Sequence, residues 1–104
     1  MNYNLALIGF GNVGRALARL LLRKQDLLKS QYDVTFSFTG ISTGRHGFAV
    51  NPNGLDIQRA LELVESGESI FPLSTLDVQD SLAVIKHSNA DVMFENSPDR
   101  KSVV

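Results

Sequence analysis

The sequence predicts an α/β domain in which a parallel sheet is flanked by helices. Two segments rich in apolar and β-branched residues, 3–9 and 33–42, have the composition of buried strands. A long amphipathic segment separates them, and two further helical segments precede a third strand-like segment at residues 91–95. This alternation of strands and helices is typical of parallel sheets with right-handed crossovers. We therefore expect a sheet with about three main strands.

The first strand and the first helix are joined by a glycine cluster. Leu5 to Ile8 are apolar without alternation, which is typical of a strand covered on both faces. Residues 12–30 have the period of an amphipathic helix. One side of the helix is expected to carry an apolar stripe that only Lys24 interrupts; at 3.6-residue spacing this side consists of Val13, Leu17, Leu20, Leu21, Lys24 and Leu28.

The middle of the chain predicts a strand, a loop and two helices. Residues 33–42 form the second strand, and the glycines, proline and asparagine of residues 43–55 indicate a loop. Asp56 is expected to cap a helix that runs to about residue 66, with Ile57, Ala60, Leu61 and Val64 facing the core. A further helix is expected to begin near Asp77, with Val78, Leu82 and Ile85 facing inward.

Length and composition exclude several classes of function. The 104 residues suffice for one domain, and a net charge of −1 argues against nucleic-acid binding. Without cysteine there is no disulfide, thiolate zinc site or cysteine nucleophile, which fits a cytoplasmic protein. The first ten residues lack a basic segment followed by a long apolar run, so we expect no signal peptide there, and no apolar run approaches the ~20 residues that a membrane helix needs. We therefore expect neither a nucleic acid nor a membrane among its partners.

The glycine cluster matches the pattern G-x-G-x-x-G in the context that gives this pattern meaning. It directly follows a buried strand and opens a helix within a βαβ unit, which indicates a Rossmann-type dinucleotide-binding domain. Each glycine has a physical role, in the turn, in the approach of a diphosphate and in helix packing. The amide groups at the helix start favour an anion. The predicted diphosphate-binding residues are Gly9, Phe10, Gly11, Asn12, Val13 and Gly14.

The end of the second strand bears on the choice between NADP and NAD. NAD-specific domains usually place an acidic residue there, whereas residues 40–46 contain none. Arg45 is therefore a candidate partner of the 2′-phosphate, with Ser42 and Thr43 as further donors. The alternative is that Arg45 is an ordinary solvated loop residue. We expect NADP to be preferred or at least tolerated, with NAD as the alternative cofactor.

The end of the third strand supplies the last candidate. Strand ends of such sheets line the ligand crevice, so Ser97 is expected to contact the nicotinamide side of the cofactor. Pro98 restricts Ser97 to extended geometry. His46 is expected to be a surface residue, and His87 to lie at a helix end. The spacing of the two histidines gives no support for a metal site.

The sequence resembles homoserine dehydrogenase over almost its whole length, up to Pro98. Residues 7–15, which contain the glycine motif, are shared with many dehydrogenases. The more specific segments are residues 40–47 (GISTGRHG), residues 51–56 (NPNGLD) and residues 90–98 (ADVMFENSP). The resemblance implies an NAD(P)-dependent oxidoreductase that interconverts homoserine and aspartate semialdehyde, a step of threonine and methionine biosynthesis. It places Phe10–Gly14 at the diphosphate, Arg45 at the adenosine ribose and Ser97 at the nicotinamide end.

The resemblance also implies what this chain lacks. In the family, the catalytic lysine and the substrate-binding acids follow in later domains, so no catalytic residue transfers to this sequence. We therefore expect residues 1–98 to be an NAD(P)-binding domain, inactive alone, and residues 99–104 to be a polar tail or a truncation point. Two alternatives stay open. One is a stand-alone nucleotide-binding or regulatory module; the other is a domain that self-associates through its unfinished sheet and binds nothing firmly.

Overall fold

A computed structural model describes residues 2–96, and within them one sheet carries helices on both faces. Three parallel strands and one short antiparallel strand form the sheet in the order β3-β2-β1-β4. The elements in chain order are β1 (Asn2–Ile8), α1 (Asn12–Tyr32), β2 (Thr35–Ser42), β3 (Phe48–Val50), α2 (Ile57–Glu65), a 3₁₀ turn (Phe71–Leu73), α3 (Ser81–His87) and β4 (Val92–Glu95).

The predicted parallel sheet is confirmed, and one strand is added to it. β1 lies between β2 and β4 and is parallel to both. The prediction of an uninterrupted loop over residues 43–55 is wrong, because β3 runs antiparallel to the end of β2. Ala49 and Val50 are fully buried there. Three residues between glycines and a proline are too few to show a strand period in the sequence.

The helices are divided between the two faces of the sheet. Leu5 and Leu7 of β1 belong to the larger core, which they share with residues of α1 and α2. Ile8 belongs to a smaller core with Val50 and with Val84 of α3. Because successive strand residues point to opposite faces, α1 and α2 cover one face and α3 covers the other. This is the two-sided cover that the apolar run in β1 predicted.

The buried stripe predicted for α1 is partly wrong. Val13 is 68 % exposed and Leu20 is 41 % exposed, while Gly14 and Ala18 are the buried residues of this helix. Leu17 and Leu21 are half-buried against the core, as expected. The helix packs against its neighbours through small residues, so the large apolar residues of the stripe lie at the flanks of the contact.

The other two helices differ in how well the sequence predicted them. The Asp56 carboxylate caps α2 by accepting a hydrogen bond from the Arg59 N–H at 3.1 Å, and the four core-facing residues predicted for α2 are buried. In contrast, α3 begins at Ser81 rather than near Asp77, because Asp80 provides the cap. Leu82 and Ile85 are therefore exposed and Val84 is the buried residue of α3, contrary to the prediction, whereas Val78 is buried as predicted, ahead of the helix.

Two structural features are absent from residues 2–96. No helix in this part of the chain is long and apolar enough to cross a membrane. The same residues contain no group of three or more His, Asp or Glu side chains placed to hold a metal ion. Ser97 and Pro98, like the tail at residues 99–104, lie outside the described residues.

Candidate functional site

A cavity of about 620 Å³ opens at the carboxyl ends of β1 and β2. Its volume lies in the range of ligand-binding pockets, and strand ends of this kind form the ligand crevice of open α/β sheets. The walls come from five separate parts of the chain. They are residues 8–12, residues 42–46 and the single residues Arg15, Val64 and Ser81.

The glycine turn between β1 and α1 forms one wall of the cavity. Gly9 has a φ of 102°, which an L side chain rarely adopts, and its N–H donates to the Ser42 carbonyl oxygen at 2.8 Å. A Cβ on Gly14 would lie 2.4 Å from the Gly9 carbonyl oxygen. Gly14 therefore lets the helix approach the turn closely, as its place in the motif predicts.

The start of α1 is left open toward the cavity. Gly11 is the residue before the helix and offers no side-chain cap, and the first turn contains no acidic residue. A Cβ on Gly11 would meet nothing within 4 Å, so there is free space above this residue. The first N–H groups of a helix have no partner within the helix, and the helix dipole makes this end positive. The geometry therefore suits a bound anion.

The predicted diphosphate residues divide into two groups. Gly9 to Asn12 line the cavity, although Phe10 is only 3 % exposed and also packs into the larger core. Val13 is exposed and Gly14 is buried, and neither lines the cavity, so their expected contribution rests on the backbone N–H groups. Ser97 lies outside the described residues, so its expected contact with the cofactor stays a prediction.

The second wall is the turn at residues 43–47, whose shape depends on the Thr43 hydroxyl. The Thr43 hydroxyl donates its proton to the Gly47 carbonyl oxygen at 2.7 Å and accepts from the His46 N–H at 2.7 Å. Since a hydroxyl has one proton to donate, Thr43 does not offer it to a phosphate in this conformation. Thr43 instead fixes the shape of the turn that carries Arg45.

Arg45 and Ser42 have contrasting surroundings. Arg45 is exposed at the cavity wall, and no residue among 2–96 forms an ion pair with it. Ser42 is buried, and its hydroxyl oxygen lies 2.5 Å from that of Ser81 at the start of α3. The Arg45 guanidinium therefore has no ion-pair partner among residues 2–96, whereas the Ser42 hydroxyl already has a hydrogen-bonding partner.

The charges around the cavity favour an anionic ligand. Arg15 and Arg45 both line it, and no carboxylate among residues 2–96 does so. Arg15 forms an ion pair with Glu65 at the end of α2, whose carboxylate lies 3.8 Å from the guanidinium and also contacts Arg19. A cavity with two cationic walls and an uncapped helix start has the electrostatic character of a phosphate-binding site.

Sequence reasoning missed six residues of the cavity wall, namely Ile8, Arg15, Gly44, His46, Val64 and Ser81. Arg15 carried a local signal, since it is a cation directly after the third glycine, in the helix turn where the dipole disfavours one. Ser81 carried no local signal, because its contact with Ser42 joins two residues that are 39 apart in sequence. The surface position expected for His46 is correct only in part, since this residue is half-buried in the cavity wall.

The chain was compared with known proteins. No family model matches it. Homoserine dehydrogenase of Methanocaldococcus jannaschii is 34 % identical over 97 residues, which are 91 % of this chain and 28 % of that protein. An NAD(+)-dependent homoserine dehydrogenase of Pseudomonas canavaninivorans is 35 % identical over 95 residues, or 89 % of this chain and 27 % of that protein.

The chain is homologous to part of homoserine dehydrogenase. The resemblance that the motifs indicated is thereby confirmed over about nine-tenths of the chain. A hyperthermophilic archaeal homoserine dehydrogenase, solved in complex with NADPH, has the same fold, with a TM-score of 0.71 and 24 % identity over 93 % of this chain and 29 % of that one. The chain thus spans a little over a quarter of the length of these homoserine dehydrogenases.

Proposed function

We propose that this chain binds NAD(P) in the cavity at the ends of β1 and β2, as the nucleotide-binding part of a homoserine dehydrogenase-type oxidoreductase. The observation that carries the proposal is the uncapped start of α1. Gly11 leaves open space there, and no described carboxylate lines the cavity beside it. An anion gains from the helix amides at this point without needing a cationic side chain.

Each part of the cofactor has a proposed place. The diphosphate lies on the backbone of residues 9–14, and Arg45 pairs with the 2′-phosphate of NADP. Ser97 is assigned to the nicotinamide side on the sequence alone. NADP is proposed as the preferred cofactor because the end of β2 has no acid that would repel its 2′-phosphate. The printed names of the relatives include one NAD(+)-dependent enzyme and one complex with NADPH, so both cofactors belong in the test.

The proposed reaction is the interconversion of homoserine and aspartate semialdehyde. The nicotinamide supplies the hydride chemistry, and the protein supplies binding and orientation. Hydride transfer requires the substrate to be held against the nicotinamide ring. No residue among 2–96 is assigned to that task, so we expect the isolated chain to bind cofactor without turning over substrate.

Calorimetric titration of the chain with NADPH and with NADH tests the proposal. We expect saturable binding of NADPH and weaker binding of NADH. A parallel assay with homoserine and NADP⁺ is expected to show no absorbance change from NADPH formation. If neither dinucleotide binds at millimolar concentration, the cavity is not a dinucleotide site and the proposed function is wrong.

We also propose that two copies of the chain associate through β4. Among residues 2–96, β4 pairs with β1 alone, so its other edge has no partner strand within this part of the chain. Val92 is 38 % exposed and Met93 is 42 % exposed on this strand. Open apolar edges favour pairing with another chain. Sedimentation of the unsubstituted chain at micromolar concentration is expected to show a dimer. The substitution Met93→Lys is expected to weaken this dimer. A monomer of the unsubstituted chain at that concentration would contradict the proposal.

A further inference from the structure

We propose that Arg15 binds the diphosphate of the dinucleotide, as a charged contact that supplements the backbone amides. The inference rests on the proposed function, because it assumes that the cavity takes a dinucleotide. It goes beyond the glycine motif, which needs no cationic side chain to hold an anion.

The position of the guanidinium carries the inference. Arg15 Nε donates to the Gly11 carbonyl oxygen at 3.2 Å, and one terminal nitrogen donates to the Asn12 side-chain oxygen at 2.9 Å. These bonds fold the side chain back over the beginning of α1, and Arg15 lines the cavity there. The side chain is 22 % exposed, so it is held in place and still reaches the open space.

The positive charge of Arg15 lies near the N-terminal end of α1, where it does not stabilise the helix. The start of a helix is its positive end, where a cation is disfavoured, and the first turn of α1 contains no acid to compensate. A bound diphosphate reverses this relation, because its negative charge attracts both the helix start and the guanidinium. Local violations of such a rule are expected at functional sites.

The ion pairs around Glu65 leave Arg15 available for a ligand. The Glu65 carboxylate lies 3.8 Å from Arg15, at the limit of an ion pair, and contacts Arg19 more closely. Arg19 is not part of the cavity wall. When Arg15 turns toward a phosphate, Glu65 therefore keeps Arg19 as its partner.

The bonding partners of Arg15 also indicate which phosphate it meets. They belong to the glycine turn, where the diphosphate lies, whereas Arg45 follows β2, where the adenosine ribose is expected. Because NADPH and NADH share the diphosphate, Arg15 should contribute equally to both. Arg45 should contribute to NADPH alone.

The first experiment compares Arg15→Gln with the matched control Arg19→Gln. Both arginines are on α1 and both pair with Glu65, but only Arg15 lines the cavity. We expect Arg15→Gln to raise the Kd of NADPH and of NADH by about tenfold each, and Arg19→Gln to change either by less than about twofold. Unchanged affinity in Arg15→Gln, or a loss confined to NADPH, overturns the inference.

The second experiment uses Glu65→Gln, which distinguishes binding from a structural role. Glu65 competes with the ligand for the guanidinium, so its neutralisation should tighten both dinucleotides by about twofold to threefold. A merely structural ion pair would give no tightening, and that result overturns the inference even if Arg15→Gln does not fold. Failure of the unsubstituted chain to bind either dinucleotide would instead contradict the proposed function itself.

Discussion

The two turns that border the cavity are built in opposite ways. The glycine turn at residues 9–14 is fixed by backbone packing, since a Cβ on Gly14 would collide with the Gly9 carbonyl oxygen. The turn at residues 43–47 is closed by one backbone hydrogen bond and by the two hydrogen bonds of the Thr43 hydroxyl, and it carries the exposed Arg45. The first turn offers amide groups to a ligand, and the second offers a guanidinium.

This difference separates general recognition from discrimination. Backbone amides at a helix start recognise the diphosphate that NAD and NADP share. A guanidinium at the end of β2 recognises the 2′-phosphate that only NADP carries. Substitutions in the first turn should therefore affect both cofactors or the fold, and substitutions in the second should affect their ratio.

The largest effect is expected for Gly14→Ala. The new Cβ would lie 2.4 Å from a backbone oxygen, so either the helix or the turn must move. We expect a loss of about 3 kcal/mol in the free energy of unfolding, at the upper end for overpacking. Urea denaturation measures it. Gly44→Ala is the matched control, because a Cβ on Gly44 meets nothing within 4 Å, and equal stability of the two variants would contradict the packing role of Gly14.

Gly11→Ala should separate binding from folding within the same turn. Its Cβ enters open space at the cavity wall, so the fold is retained with a loss of no more than about 1 kcal/mol at the cap position. The diphosphate can no longer approach the backbone closely, so the Kd of both NADPH and NADH should rise about 30-fold, or about 2 kcal/mol. Calorimetric titration of both cofactors measures this, and affinity equal to that of the unsubstituted chain would place the diphosphate elsewhere.

The glycine turn could be predicted because its geometry depends on residues that are adjacent in sequence. The spacing of Gly9, Gly11 and Gly14 between a buried strand and a helix is sufficient to predict the strand–turn–helix geometry. The helix contacts were harder to predict, since α1 buries Gly14 and Ala18 while Val13 remains exposed. A periodicity that counts only large apolar residues does not predict a helix contact made through glycine and alanine.

The rest of the cavity could not be predicted from local patterns. Ser81 contacts Ser42 although the two residues are 39 apart in sequence. β3 is only three residues long, and its pairing with β2 defines the turn that carries Arg45. Tertiary pairing, rather than propensity, decides both features.

Arg45→Ala tests whether the second turn discriminates between the cofactors. Loss of a bidentate contact with the 2′-phosphate should raise the Kd of NADPH by about tenfold, or about 1.4 kcal/mol, and leave that of NADH within about twofold. Arg59→Ala is the matched control, since Arg59 is an exposed arginine on α2 that pairs with Glu62 away from the cavity. An unchanged ratio of the two constants would remove Arg45 from the site.

The smallest effect is expected for Thr43→Val, which keeps the shape of the side chain and removes its hydroxyl. The Gly47 carbonyl oxygen loses one donor and the His46 N–H loses its acceptor, so the unfolding free energy should fall by about 1 kcal/mol. Thr43→Ser retains both bonds and should behave like the unsubstituted chain in urea denaturation. Because the same bonds hold the turn under Arg45, Thr43→Val should also reduce the preference for NADPH over NADH by about threefold. Full preference in a destabilised Thr43→Val variant would show that Arg45 does not depend on the shape of its turn.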